Sequence, residues 1–133
     1  MGIFFLYNFI SITPYQYTYL NSLNGKADTK INKFENDYWG ASIKELIDIS
    51  NFSKEESIKI STCGTNISIV KKYFKKKGYL NVDVVRPEES EYIIMTNRTA
   101  YNNDTKKISN CFNVFEGNNI FEVKRGGLIL STI

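Results

Sequence analysis

The apolar residues of this chain first run together, then alternate, then fall at helical spacing, and each period predicts an element. The opening run is Ile3-Phe4-Phe5-Leu6-Tyr7, carried on past Asn8 to about Ile12. It is far shorter than the roughly 20 residues that cross a bilayer. MGIFFLYNFISITP also holds no lysine or arginine to serve as the basic region of a signal peptide. Two readings stand: a buried strand or helix, or the last turns of a membrane helix. Residues 1–13 are therefore set apart as an apolar lead, and 14–133 are read as one soluble domain. Beyond Pro14, Tyr15, Tyr17 and Tyr19 alternate, which predicts an extended segment with one aromatic face, either a packed strand or a membrane-interface belt. Ser22 to Lys33 is polar, contains Asn24-Gly25, and reads as a loop.

From Ser42 the period becomes helical. Ser42-Ile43-Lys44-Glu45 fits a capping box, and Ile43, Leu46 and Ile47 make one apolar face, so a short helix is expected from 42 to about 50. Ile58-Lys59-Ile60-Ser61 alternates as a half-buried strand. Gly64-Thr65-Asn66 turns it into a second helix over 66–77, where Ile67, Val70 and Phe74 define the inner face and Tyr73 lies beside them. Lys71, Lys72, Lys75, Lys76 and Lys77 fill the last turns, where cations complement the helix dipole, and Gly78 supplies the C′ residue. The lysines read as a solvated helix end, with a patch for anionic lipid or nucleic acid as the sharper reading.

Leu80–Val85 and Glu91–Asn97 read as strands, but the link between them is too short for a parallel crossover of about a dozen residues, so a mixed sheet is expected. Thr99–Asn110 is polar and reads as a loop. IFEVKR and LILSTI flank Gly126-Gly127, the pattern of a terminal hairpin. The fold class that follows is α/β: a mixed β-sheet with flanking helices and a C-terminal β-hairpin. Ile58, Ile60, Ile67, Val70, Phe74, Val82, Val84, Ile93 and Met95 are expected to share one core.

Composition narrows the chemistry. At 133 residues the chain can bury a core, and a net charge of +3 does not suggest a nucleic-acid binder. No histidine is present, which removes Ser-His-Asp and Cys-His catalysis and histidine-ligated zinc. Cys63 and Cys111 form no C-x-x-C motif; they can pair in an oxidising compartment, but two buried free thiols are the favoured expectation. No metal site, cofactor or catalytic residue is assigned. The turn Gly64-Thr65-Asn66 opens a helix whose free N–H groups can hold an anion, although such turns occur widely without a ligand. FENDYWG, residues 34–40, places Phe34, Tyr38 and the single tryptophan, Trp39, around acidic and amide side chains. Its structural reading is an anchor at the entry to the first helix. Its functional reading is an aromatic plate for a sugar ring, with the Glu35 and Asp37 carboxylates accepting hydroxyl hydrogen bonds.

TPYQYTYLNSLNG, FENDYWGASIKELI and EYIIMTNR together resemble the carboxy-terminal region of bacterial polytopic membrane glycosyltransferases of the dolichyl-phosphate-mannose protein mannosyltransferase type. Pro14, Tyr15, Tyr17, Tyr19 and Asn21 match the segment that follows the last membrane helix in that family, with Leu20 in place of the usual Phe. Glu35, Asp37, Tyr38, Trp39, Gly40, Ser42, Lys44 and Glu45 match the segment that opens its soluble domain. The resemblance covers the chain from about Ile12 onward and implies a domain on the extracytoplasmic, periplasmic side of a membrane. It implies as partners the enzyme's membrane portion, which this chain lacks, together with a membrane surface and a carbohydrate acceptor. The early acidic loop that the family uses with its lipid-linked sugar donor has no counterpart here. The expected role is therefore non-catalytic, supporting stability or acceptor access. The alternative is a freestanding α/β protein that binds a small anion at residues 63–66, or a partner through the lysine-rich helix.

Overall fold

The alternating run at Ile58 forms β1 (Ile58–Cys63), and a five-stranded sheet is assembled on it. The computed structural model describes residues 2–11, 40–102, 107–125 and 127–133. The tyrosine segment, the polar stretch 22–33 and residues 34–39 of FENDYWG lie outside them. Helix α1 (Gly2–Ser11) and helix α2 (Ile43–Ile49) precede β1. Helix α3 (Ile67–Lys77) and strands β2 (Val82–Val84), β3 (Tyr92–Thr96), β4 (Thr99–Asn102), β5 (Lys107–Asn110), β6 (Glu122–Arg125) and β7 (Leu128–Thr132) follow it.

The sheet order is β2-β1-β3-β7-β6, with β2 and β3 parallel to β1, and with β7 antiparallel to both β3 and β6. The fold is thus a mixed α/β sheet with a C-terminal hairpin. Its antiparallel part, however, comes from β7 and β6 and not from the short link after β2. That link runs between parallel strands on opposite sides of β1, and stagger makes its shortness workable. Val84 at the end of β2 and Tyr92 at the start of β3 are both level with Ile60. The chain therefore only steps sideways past β1 and does not have to return along it. Val85 N–H donates to the Ile60 carbonyl and Glu91 N–H to the Lys59 carbonyl, each at 3.0 Å, which pins both ends of the step. Pro87–Glu89 makes a 3₁₀ turn between them.

Helices α2 and α3 pack together on one face. Ile43, Leu46 and Ile47 of α2 join Val70 and Phe74 of α3, Ile58, Ile60 and Ile94 of the parallel strands, and Val123 and Leu130 of the hairpin. Each such side chain contributes about 1.5–3 kcal/mol on removal from water. Phe52, in the polar-looking stretch after α2, has ring contacts with Phe74, Tyr79, Tyr92 and Phe121 at 4.7–5.9 Å between centroids.

The single-core expectation is corrected at three positions. Ile93 and Met95 project to the opposite face, where they meet Cys63, Cys111, Phe112 and Phe115, and Val84 is exposed. Residues 92–95 are apolar throughout, so the sequence offers no alternation from which to tell the two faces, and both are covered. The polar stretch 99–110 is also corrected. Thr99 pairs with Asn110 and Asn102 with Lys107 in an antiparallel β4–β5 ribbon, whose backbone pairing does not depend on an apolar face.

Helix α3 ends at Lys77 and Gly78 as its sequence predicts, and it begins one residue later than expected because Asn66 stands outside it as the cap. Asn66 Oδ1 accepts the Ser68 N–H at 2.8 Å, and Gly78 takes the left-handed C′ conformation with its N–H on the Lys75 carbonyl at 3.1 Å. Helix α2 departs from the capping-box expectation, since Ser42 makes no side-chain cap. Ser42 is fully buried against the hairpin, and its hydroxyl donates to Ser131 Oγ at 2.6 Å; Arg125 meanwhile donates to the Glu45 carboxylate at 2.7 Å. The opposite end of α2 is held from outside. Lys77 Nζ donates to the carbonyls of Ile47 and Asp48 at 2.7 Å, and also to that of Ser50.

The apolar lead is helical. Along α1, Ile3, Leu6, Tyr7 and Ile10 fall at i, i+3, i+4 and i+7 and are 87%, 56%, 73% and 60% exposed. Phe9 is exposed as well, while the side chains of Phe4 and Phe5 lie outside the description. Among the described residues no helix is long and apolar enough to cross a membrane.

Candidate functional site

In a parallel α/β arrangement the crevice outside the strand C-termini, where successive connections diverge, is the favoured ligand position. Here α3 leaves β1 toward β2, while β3 lies on the other side of β1, so residues 63–66 and 96–98 occupy that position. The turn there is crowded. Gly64 has φ +77°, and a Cβ on it would stand 2.6 Å from Thr96 Oγ1 and 2.9 Å from Arg98 Cβ. Only glycine combines that left-handed backbone with so close an approach.

The polar groups around the turn are mostly engaged within the chain. Asn66 Oδ1 uses the Ser68 N–H, a donor that an anion at the start of α3 would otherwise meet. Buried Asn97 accepts through Oδ1 from Asn110 Nδ2, and the Cys111 N–H donates to the Arg98 carbonyl at 2.8 Å. The hydroxyls of Thr65 and Thr96 are buried without a hydrogen-bond partner among the described residues. Of the two residue groups singled out by sequence, one pair of members is brought together. Gly40, at φ +63°, lies so near the turn that a Cβ on it would be 2.9 Å from Thr65 Oγ1. The end of FENDYWG thus packs on the predicted anion turn. Glu35, Asp37, Tyr38 and Trp39 fall outside the described residues.

Cys63 and Cys111 close this corner as a disulfide, with Cα atoms 5.6 Å apart. The expectation of two free thiols is overturned here. The β4–β5 ribbon returns Cys111 to the end of β1, a proximity that a sequence separation of 48 does not disclose.

Two further surfaces carry chemistry. On the face opposite the helices, a cleft of about 390 Å³ has Ile93, Met95, Phe112 and Phe115 along its apolar side, with Glu91, Glu116 and Asn118 among its polar lining. Near it, Glu122 is held below the usual carboxylate range, chiefly by its hydrogen bond from Lys124, which outweighs the opposing effect of burial; the hydrogen bond from Asn119 and the charge of Lys124 lower it further by smaller amounts. Sequence reading missed this cleft because Phe112 and Phe115 lie in a stretch without periodicity. The second surface is the lysine side of α3, beside a crevice of about 280 Å³ lined by Lys44, Asp48, Tyr73, Lys76 and Lys77. Among the described residues no cluster of three or more Cys, Asp or Glu side chains could hold a metal ion.

No protein-family model, curated protein or solved structure matches the chain.

Proposed function

We propose that this chain is a non-catalytic extracytoplasmic domain of a membrane glycosyltransferase that uses a lipid-linked sugar donor, supporting the enzyme's stability or its acceptor access. The observation that carries the location is the Cys63–Cys111 disulfide, because structural disulfides persist in oxidising compartments and are rare in the cytosol. The exposed apolar stripe of α1 supports the membrane part of the reading, since such a surface calls for lipid or a protein partner. The family itself rests on the resemblance of residues 14–21, 35–45 and 91–98. Gly40, the motif residue that is described, packs against the turn at Thr65, which suits a scaffolding role for the motif.

The test is fractionation of the native cells with an antibody to the 40–133 region. The expected result is recovery in the membrane fraction, attached to or co-purifying with a polytopic protein, with Cys63 and Cys111 both resistant to alkylation until reduced. Recovery from the cytosol with two alkylatable thiols would overturn the proposal. The isolated chain is expected to transfer no sugar from lipid-linked donors; transfer abolished by Asp37→Asn would move FENDYWG from scaffold to active site.

A further inference from the structure

Helix α3 contains five lysines and no acidic residue. Its dipole accounts for cations in the last turn, but the effect fades within that turn, and Lys71 and Lys72 lie further in. Lysines 71 and 75, and 72 and 76, stand at i,i+4 spacing, where like charges cost an isolated helix a few tenths of a kcal/mol per pair. At about 100° per residue, Lys71, Lys72, Lys75 and Lys76 fall within one arc, opposite Val70 and Phe74, which face the core. All four are exposed, and among the described residues none is held in an ion pair. Lys77 differs, because it turns inward onto the carbonyls at the end of α2. The four outer lysines thus form an electrostatic face for which the fold itself gives no use.

We infer that this face rests on an anionic lipid surface, with the apolar stripe of α1 as the second attachment. A positive face and negatively charged headgroups are complementary, and a polybasic segment gains roughly 1 kcal/mol per lysine at such a surface. The exposed Ile3, Leu6, Tyr7 and Ile10 decide for lipid over nucleic acid, because they offer apolar insertion that a nucleic acid cannot use. A short apolar anchor combined with basic residues is the two-signal arrangement that gives stable surface attachment where one signal alone is marginal. The crevice beside Tyr73 is lined by Lys76 together with the paired Lys44 and Asp48, 3.4 Å apart, and by Lys77, whose amine is taken up by the α2 carbonyls. This inference is independent of the glycosyltransferase reading and survives if that reading fails.

The test is co-sedimentation of the full chain with vesicles of phosphatidylcholine alone, and of phosphatidylcholine mixed with phosphatidylglycerol, at low and high salt. Binding is expected to be at least tenfold tighter to the anionic vesicles, and to lose most of that advantage in high salt. The variant K71Q/K72Q/K75Q/K76Q leaves Lys77 and the core untouched. It is expected to bind anionic vesicles at least tenfold more weakly, while its binding to neutral vesicles and its unfolding midpoint stay unchanged. Equal binding of the unaltered chain to both vesicle types would overturn the inference, as would full anionic binding by the variant. Tighter binding to single-stranded nucleic acid or to inorganic phosphate than to the anionic vesicles would reassign the face.

Discussion

Thr96 and Gly64 carry the sharpest predictions because each sits in a fully specified environment. The Thr96 hydroxyl is buried and has no partner among the described residues, so the native state bears the cost of desolvating a polar group with no return. Thr96→Val keeps the shape and removes that group. It should raise stability by roughly 1 kcal/mol, read as a higher urea midpoint with an unchanged slope. Gly64→Ala should do the opposite. It adds a methyl group 2.6 Å from Thr96 Oγ1 on a left-handed backbone, and a loss of roughly 2–4 kcal/mol is expected in the same measurement.

Among elements, the pairing of α2 with α3 depends on one lysine that sequence reading groups with its neighbours. Lys77 supplies hydrogen bonds to the last carbonyls of α2, whose final turn contains no basic residue of its own. Lys77→Met should therefore cost about 1.5–3 kcal/mol, the usual range for hydrogen bonds from a charged group, with faster amide exchange at the end of α2. Lys76→Met, on the exposed side, should stay within roughly 0.5 kcal/mol of the parent. Equal losses from the two substitutions would mean that Lys77 acts only through the dipole of its own helix.

For the molecule as a whole, the disulfide ties the end of β1 to the segment that follows the β4–β5 ribbon. It closes a loop across a sequence separation of 48, for which chain entropy gives a stabilisation of about 4 kcal/mol. The double variant C63A/C111A should show that loss, or somewhat less, by chemical denaturation. Because Phe112 and Phe115 adjoin Cys111, protection from exchange should fall first in residues 111–119, while the helix face stays protected.

The sequence alone determined what depends on neighbours in the chain. The helix that follows the Gly64–Asn66 turn, the Gly78 stop, the inner face of α3, the strands at 58 and 92 and the C-terminal hairpin all follow from local spacing and from the conformations those residues permit. The candidate turn at Gly64–Asn66 was legible for the same reason. What only the tertiary structure decided involves partners distant in sequence: Ser42 bonding to Ser131 instead of capping its helix, Lys77 serving α2, Ile93 and Met95 turning away from the main core, and Cys63 meeting Cys111. Each of these results from which surfaces the fold brings together, and a period of two or 3.6 residues carries no information about a contact across tens of residues.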